Sequence, residues 1–353
     1  MGNRSVHSLY KVSLFLLFVL LLNTEAAAQT VIRKYAGEFM AIGVGGRSLG
    51  MGGAFTAVAN DVTAAYYNPA GLANLNYPQI SLMHAEQFGD LVNYDYGAVA
   101  IPYKEDMSFG LSVMRLGVDG IPDTRNALNN NDRNGDGVID INDGLIYDRI
   151  TDFSNQDYAF YLTFAKRHTS DFYYGANVKI IRRSFGDIAS ATGIGFDIGA
   201  LYSPFQDFFV GANIQDITTT LLAWNTGLNE LVSPTVKLGA AYGLDFWGGR
   251  FTPALDLDVR FENRRYASQF NIGPVSFDAH AGFEYNFRNL ISVRAGYNDV
   301  KQFTVGAGIK LPKLNLDYSF ARFSAAEIDR LPDTHRISLI LTLEEPKFLR
   351  TGL

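Results

Sequence analysis

The stretch D-R-N-G-D-G-V-I-D-I-N-D, residues 132–143, alternates oxygen ligands with turn residues. Asp132, Asn134 and Asp136 stand at positions 1, 3 and 5, Gly137 at 6, Ile139 at 8, Asp140 at 9 and Asp143 at 12. Hard oxygens at this spacing wrap a calcium ion, and the glycine permits the sharp turn between them. The expected ligand set is Asp132, Asn134, Asp136, the Val138 carbonyl, Asp140 through water, and Asp143. Asp143 is one carbon shorter than the glutamate usual at position 12, which weakens the case for bidentate binding. The competing reading is an acidic, glycine-rich turn that holds no metal.

A second pattern, Gly46-Arg47-Ser48-Leu49-Gly50, formally matches a nucleophile elbow. That motif works only on a strand-turn-helix of an α/β sheet, with a later acid and histidine, so a catalytic Ser48 is disfavoured. His84, His168, His280 and His335 show no metal-ligand spacing, and there is no cysteine for a disulfide or lipid anchor. No catalytic or cofactor-binding residue is expected beyond the structural calcium.

The elements around these residues follow from the ends of the chain and from its periodicity. Arg4 and Lys11 precede an apolar run from Val12 to Leu22 and then Ala26-Ala27-Ala28. This is a secretory signal peptide, residues 1–28, cut before Gln29. The run is too short to span a bilayer, and no later stretch is long enough to cross as a helix. A net charge of −6 argues against nucleic acid as a partner. The chain nevertheless carries 26 Phe, 19 Tyr, 2 Trp and 34 Gly.

Alternation explains that composition. Ile291, Val293, Ala295 and Tyr297 share one face while Ser292, Arg294, Gly296 and Asn298 share the other. The same pattern recurs in fourteen segments: 79–88, 93–103, 107–117, 156–167, 171–184, 192–203, 207–216, 234–245, 251–262, 275–287, 290–298, 302–311, 314–323 and 335–343. Each approaches the length a tilted strand needs to cross a bilayer. Connections after even-numbered segments are short, such as 312–313, whereas several after odd ones are long: 118–155, 217–233, 263–274 and 324–334. The fold class expected is therefore all-β, a transmembrane antiparallel up-and-down barrel of about 14 strands over residues 79–343. The long loops face outward from the cell, and the calcium motif lies in the longest, 118–155. Residues 344–353 form a C-terminal tail.

Before the barrel, residues 29–78 form a glycine-rich segment. Glycines at 43, 45, 46, 50, 52 and 53 let its backbone run close to a wall. Asp61 is placed to cap a short helix over 62–66, which Pro69 would end. The string R-S-L-G-M-G-G-A-F-T-A-V-A-N-D-V-T-A-A-Y-Y-N-P-A-G-L-A resembles the N-terminal motif of the PorV/PorQ family of outer-membrane proteins, distant relatives of the FadL transporters. Gly50, Gly52, Gly53, Asn60, Asp61, Asn68, Pro69 and Gly71 carry the resemblance. It implies a barrel with this segment folded inside as a hatch. It also implies a role in type IX secretion, binding or shuttling secreted cargo beside a translocon. The last strand departs from the pattern by ending at Leu343 rather than at an aromatic residue.

Inward faces should then carry Asp256, Asp258, Arg260, Glu262, Asp278, His280, Glu284, Arg294, Lys310 and Arg336, either as an ion-pair network bracing the lumen or as a polar conduit. Three functions compete, of which a surface enzyme is the least favoured and the other two are not enzymatic. In secretion, an exposed apolar rim such as Leu221, Leu222 and Trp224 would contact cargo. As a passive FadL-like transporter of hydrophobic small molecules, the protein would need a lateral gap where a strand kinks inward. Outer-membrane lipids are partners in either case.

Overall fold

The computed structural model describes residues 30–32, 37–87, 89, 91–129, 138, 140–262, 264, 267–324 and 333–350. The signal segment, and Asp132, Asn134 and Asp136 of the calcium motif, lie outside them.

Fourteen strands close on themselves into one antiparallel barrel. In chain order they are β1 (Gln79–Gln87), β2 (Val92–Tyr103), β3 (Met107–Asp123), β4 (Thr151–Arg167), β5 (Phe172–Phe185), β6 (Ala189–Phe205) and β7 (Phe208–Gln215). The ring continues with β8 (Thr235–Tyr242), β9 (Gly249–Arg260), β10 (Val275–Phe287), β11 (Ile291–Tyr297), β12 (Gln302–Leu311), β13 (Leu314–Phe323) and β14 (Thr334–Thr342). Pairing of β14 with β1 closes it, so neither terminal strand is left with an unpaired edge. The period-2 alternation sends Leu82, Leu111, Leu162, Leu255 and Ile337 outward, each at least half exposed. Ser81, Ser112, Thr163, Asp256 and Arg336 turn inward and are buried. An apolar exterior over a polar interior inverts a soluble protein and suits a barrel solvated by lipid. Among the described residues no helix is long and apolar enough to cross a membrane.

Three connections differ from the sequence reading. Ladder pairing on β3 and β4 runs past Val118 to Asp123 and resumes at Thr151, across a register shift between Val118 and Ile121. That bulge breaks the alternation and made the strands look shorter than they are. The expected long loop 217–233 is itself a ribbon: Thr220–Trp224 pairs with β6 and with Asn229–Val232. Continued alternation therefore buries Leu222 completely, so it is not part of an exposed rim, while Leu221 stays 42% exposed. A separate ribbon, Phe270–Ile272, folds back along the top of β10.

Residues 37–74 fill the inside. Thr30–Ile32 adds in parallel to Asn229–Val232 at the long-loop end, and the chain next enters the lumen at Gly37. It runs through short helices at Gly46–Gly50 and Ala64–Tyr67 and a 3-10 segment at Pro69–Asn74, leaving at the short-turn end to begin β1. The helix expected over 62–66 starts two residues later than that, because Asp61 spends its carboxylate on Thr63 N and Oγ1 at 2.9 and 2.5 Å. Pro69 opens the 3-10 segment instead of only ending a helix, since its missing N–H is not needed at a first helical position. The buried apolar cluster is centred on this segment, with Val44, Met51, Phe55, Val62 and Leu72 against Tyr94, Met114 and Tyr161 of the wall.

Candidate functional site

The hatch segment is keyed into the wall through glycines on successive strands. Gly175 on β5, Gly199 on β6, Gly211 on β7, Gly239 on β8, Gly282 on β10 and Gly296 on β11 all turn toward the lumen. At each, an added Cβ would overlap the hatch or a side chain that holds it. At Gly175 it would stand 2.5 Å from the Pro69 carbonyl carbon and 2.6 Å from Ala70 N. Backbone thus lies on backbone, which only residues without a side chain permit.

Side chains complete the attachment. Asp256 accepts the Phe55 and Thr56 amides at 2.9 and 2.8 Å. Asn68 donates to Thr56 O and Ala200 O at 3.0 and 2.9 Å and accepts from Ala70 N. Asn177 and Asn213 on the wall donate to Ala65 O and Tyr67 O at 2.8 and 2.9 Å. His280 Nδ1 lies 2.9 Å from Gly52 O. These bonds satisfy hatch carbonyls and amides that water would otherwise have to reach. Burial pushes the Tyr67 phenol up to about 12, so it stays protonated and donates to Val44 O.

Every motif residue of the hatch has a place in this fit. Gly50 lies against Gly306 and its carbonyl accepts from Thr304 Oγ1 at 3.1 Å. Gly52 and Gly53 hold φ of 67° and 81°, passing Tyr297 and His280. Asn60 and Asp61 grip Arg47 at 2.6 and 3.1 Å. Pro69 packs on Gly199, and Gly71 on Ala59. Ser48, by contrast, is fully buried on the helix Gly46–Gly50, and its hydroxyl donates back to Val44 O and Gly45 O. It has no route to a substrate there.

The inward charges pair into networks. Arg47 of the hatch bonds Glu284 at 3.0 Å, Glu284 bonds Arg294 at 2.6 Å, and Arg294 reaches Asp317 at 2.7 Å. Lys237, Asp258, Arg260, Asp278 and His280 form a second group. A third, absent from the sequence reading, joins Lys179 to Asp197 and Asp216 at 2.8 and 2.6 Å. Glu262 is tied to Arg264 at 2.7 Å, and Lys310 sits at the short-turn end beside Asn289. Among the described residues Arg336 joins none of the ion pairs.

Two features bear on passage. Below the hatch, at the short-turn end, lies a vestibule of about 1260 Å³. Its roof is Ala57 to Asp61 with Arg47, and its walls include Leu201 to Ser203, Phe246 to Arg250, Arg288 and Asn289. The second feature is an irregular stretch of the wall. Ile214 pairs with Ile198 and Leu221 with Ile194, so seven steps on one strand answer four on β6. The three extra residues form a bulge in which Asp216 and Thr219 take φ of 55° and 60° and Asp216 turns inward to Lys179.

The described part of the calcium motif is partly engaged. Val138 is exposed; Asp143 is buried and accepts from Asp140 N at 2.9 Å, while Asp140 accepts from Asn142 N at 2.7 Å. Among the described residues no three His, Asp or Glu side chains are arranged to hold a metal ion.

Comparison with solved barrels gives the class. The chain superposes on the Ralstonia pickettii toluene transporter TbuX with a TM-score of 0.53 at 13% identity, covering 85% of this chain and 97% of that one. The fold is FadL-like. The Pseudomonas putida toluene transporter TodX gives 0.51 at 14% identity, covering 85% and 97%. A FadL homologue of Pseudomonas aeruginosa gives 0.52 at 13%, covering 85% and 98%. The model of an uncharacterised protein family, UPF0164, matches residues 22–113, which include the hatch motif of this FadL-like barrel. No curated protein matches it in sequence.

Proposed function

We propose that this chain is an outer-membrane barrel, exported by its signal peptide, that lets hydrophobic small molecules cross without energy input. The observation that carries this reading is a hatch keyed into the lumen of a barrel whose fold is shared with proteins named as toluene transporters. A filled lumen is the wrong shape for a water-filled pore, and an apolar solute gains nothing from one. Such a solute partitions into the membrane and needs only a protected passage beside the hatch. The bulge at 216–219 supplies an irregular stretch of wall of the kind a lateral passage requires. The secretion role implied by the PorV/PorQ resemblance is less favoured by these neighbours, whose names are those of transporters.

The test is uptake of N-phenylnaphthylamine, an apolar fluorophore, by cells displaying the barrel in their outer membrane. Faster uptake than in cells bearing an empty vector, with little conductance in planar bilayers, is the expected pairing. Equal uptake in both strains would overturn the transporter reading.

A further inference from the structure

Arg336 faces the lumen from β14 and is 5% exposed. It takes part in no ion pair and no hydrogen bond with the described residues, and its Nε is fully shielded without a partner. Its cross-strand neighbours are Ser319 on β13 and Ala85 on β1. Ala85 offers no polar atom, and the buried Ser319 Oγ is also without a partner. Two residues above Ala85, on the same inward face, Gln87 Nε2 is a third shielded group with no acceptor.

Among the described residues, the acids that could serve Arg336 are committed elsewhere. Asp317, two residues below Ser319, is held by Arg294 at 2.7 Å, and Asp61 by Arg47 at 3.1 Å. In the same row across the sheet, beyond Ala85, stands Tyr94 on β2, and Tyr67 of the hatch belongs to the same buried cluster. Tyr67 is occupied by Val44, and Tyr94 directs its hydroxyl at Met114 Sδ. What remains is a guanidinium that can only donate, beside a hydroxyl and an amide N–H that can each donate as well, with no charged acceptor among them. Arginine keeps its charge, and a buried charge left without a partner is strongly unfavourable. A locus with this donor surplus is complementary to a negative charge.

We propose that Arg336, Ser319 and Gln87 form a binding site for one monovalent anion, a carboxylate or a halide, held at the inner face of the wall. The fork of the guanidinium fits a carboxylate in two-point contact, and a halide takes the same donors singly. The site does not depend on what the barrel transports.

The test uses the purified full chain in a nonionic detergent. Thermal unfolding is followed while bromide, acetate or laurate replaces sulfate, which is neither a halide nor a carboxylate, at constant ionic strength. Wild type should gain stability saturably, and Arg336→Met should raise the half-saturating concentration at least tenfold. Ser319→Ala should weaken binding less, and Arg336→Lys should retain part of it. Bromide-soaked crystals should show an anomalous peak beside Arg336. Laurate binding tighter than acetate would identify the head of an amphiphile as the anion, and equal binding a free ion. If wild type and Arg336→Met respond alike, or neither responds and no bromide peak is found, water alone solvates the guanidinium and the proposal fails.

Discussion

Gly175→Ala is the sharpest test of the keyed hatch. The new methyl carbon would stand 2.5, 2.6 and 2.7 Å from Pro69 C, Ala70 N and Pro69 O. Ordinary contact needs about 3.5 Å, so Pro69–Ala70 must retreat by roughly 1 Å. Alanine is acceptable in a strand, so the barrel should form and the hatch should yield. A retreat of that size takes the Asn68–Ala200 bond from 2.9 Å to beyond hydrogen-bonding range. Overpacking costs about 1–3 kcal/mol and a lost bond about 1 more. The sum, about 2–4 kcal/mol, raises the opening equilibrium of the hatch roughly 30- to 1000-fold. Hydrogen exchange read by mass spectrometry on peptides covering 64–75 measures that directly. The control is Gly97→Ala, where the methyl meets Val113 and Leu82 at an ordinary 3.7 and 3.8 Å. Exchange over 64–75 that is the same in Gly175→Ala, Gly97→Ala and wild type would refute the reasoning.

Other outcomes follow from the same contacts. Removing residues 37–74 should leave a barrel that still shows heat-modifiable migration but conducts small ions in planar bilayers, because the ladder bonds lie in the strands. Arg350→Ala should loosen the junction of hatch and barrel, measured as faster exchange at 75–78. Its guanidinium donates to Leu75 O at 2.8 Å, Met107 O at 3.0 Å and Ser108 Oγ at 2.6 Å, and such charged bonds contribute about 1.5–3 kcal/mol each. We propose further that Asp132, Asn134, Asp136, Val138, Asp140 and Asp143 hold one calcium ion, so chelation should expose residues 124–150 to protease and leave the strands intact. Asp136→Ala should copy chelation; cleavage that is indifferent to both would mark an acidic turn.

The strand count was legible because alternation is a local property. Ile291 to Tyr297 or Leu314 to Phe323 announce one oily and one polar face whatever lies beside them, and fourteen such stretches leave little else to build. Loop lengths sorted by parity likewise told one end from the other. The hatch motif could be read as glycine-rich backbone, but not its partners. Gly175, Gly199 and Gly282 look like weak points in their strands until Pro69, Asn68 and Met51 are laid against them. Contacts between residues more than a hundred positions apart leave no periodic trace. The same limit hid the fate of charges: Arg294 and Arg336 read alike along the chain, and only folding gave one Glu284 and Asp317 and the other no acid among the described residues. Periodicity assigns each side chain to a face, because the pleat repeats every two residues. Which groups meet across the lumen depends on register, on the bulge at 216–219 and on the path of the hatch, and those are set by the closed ring as a whole.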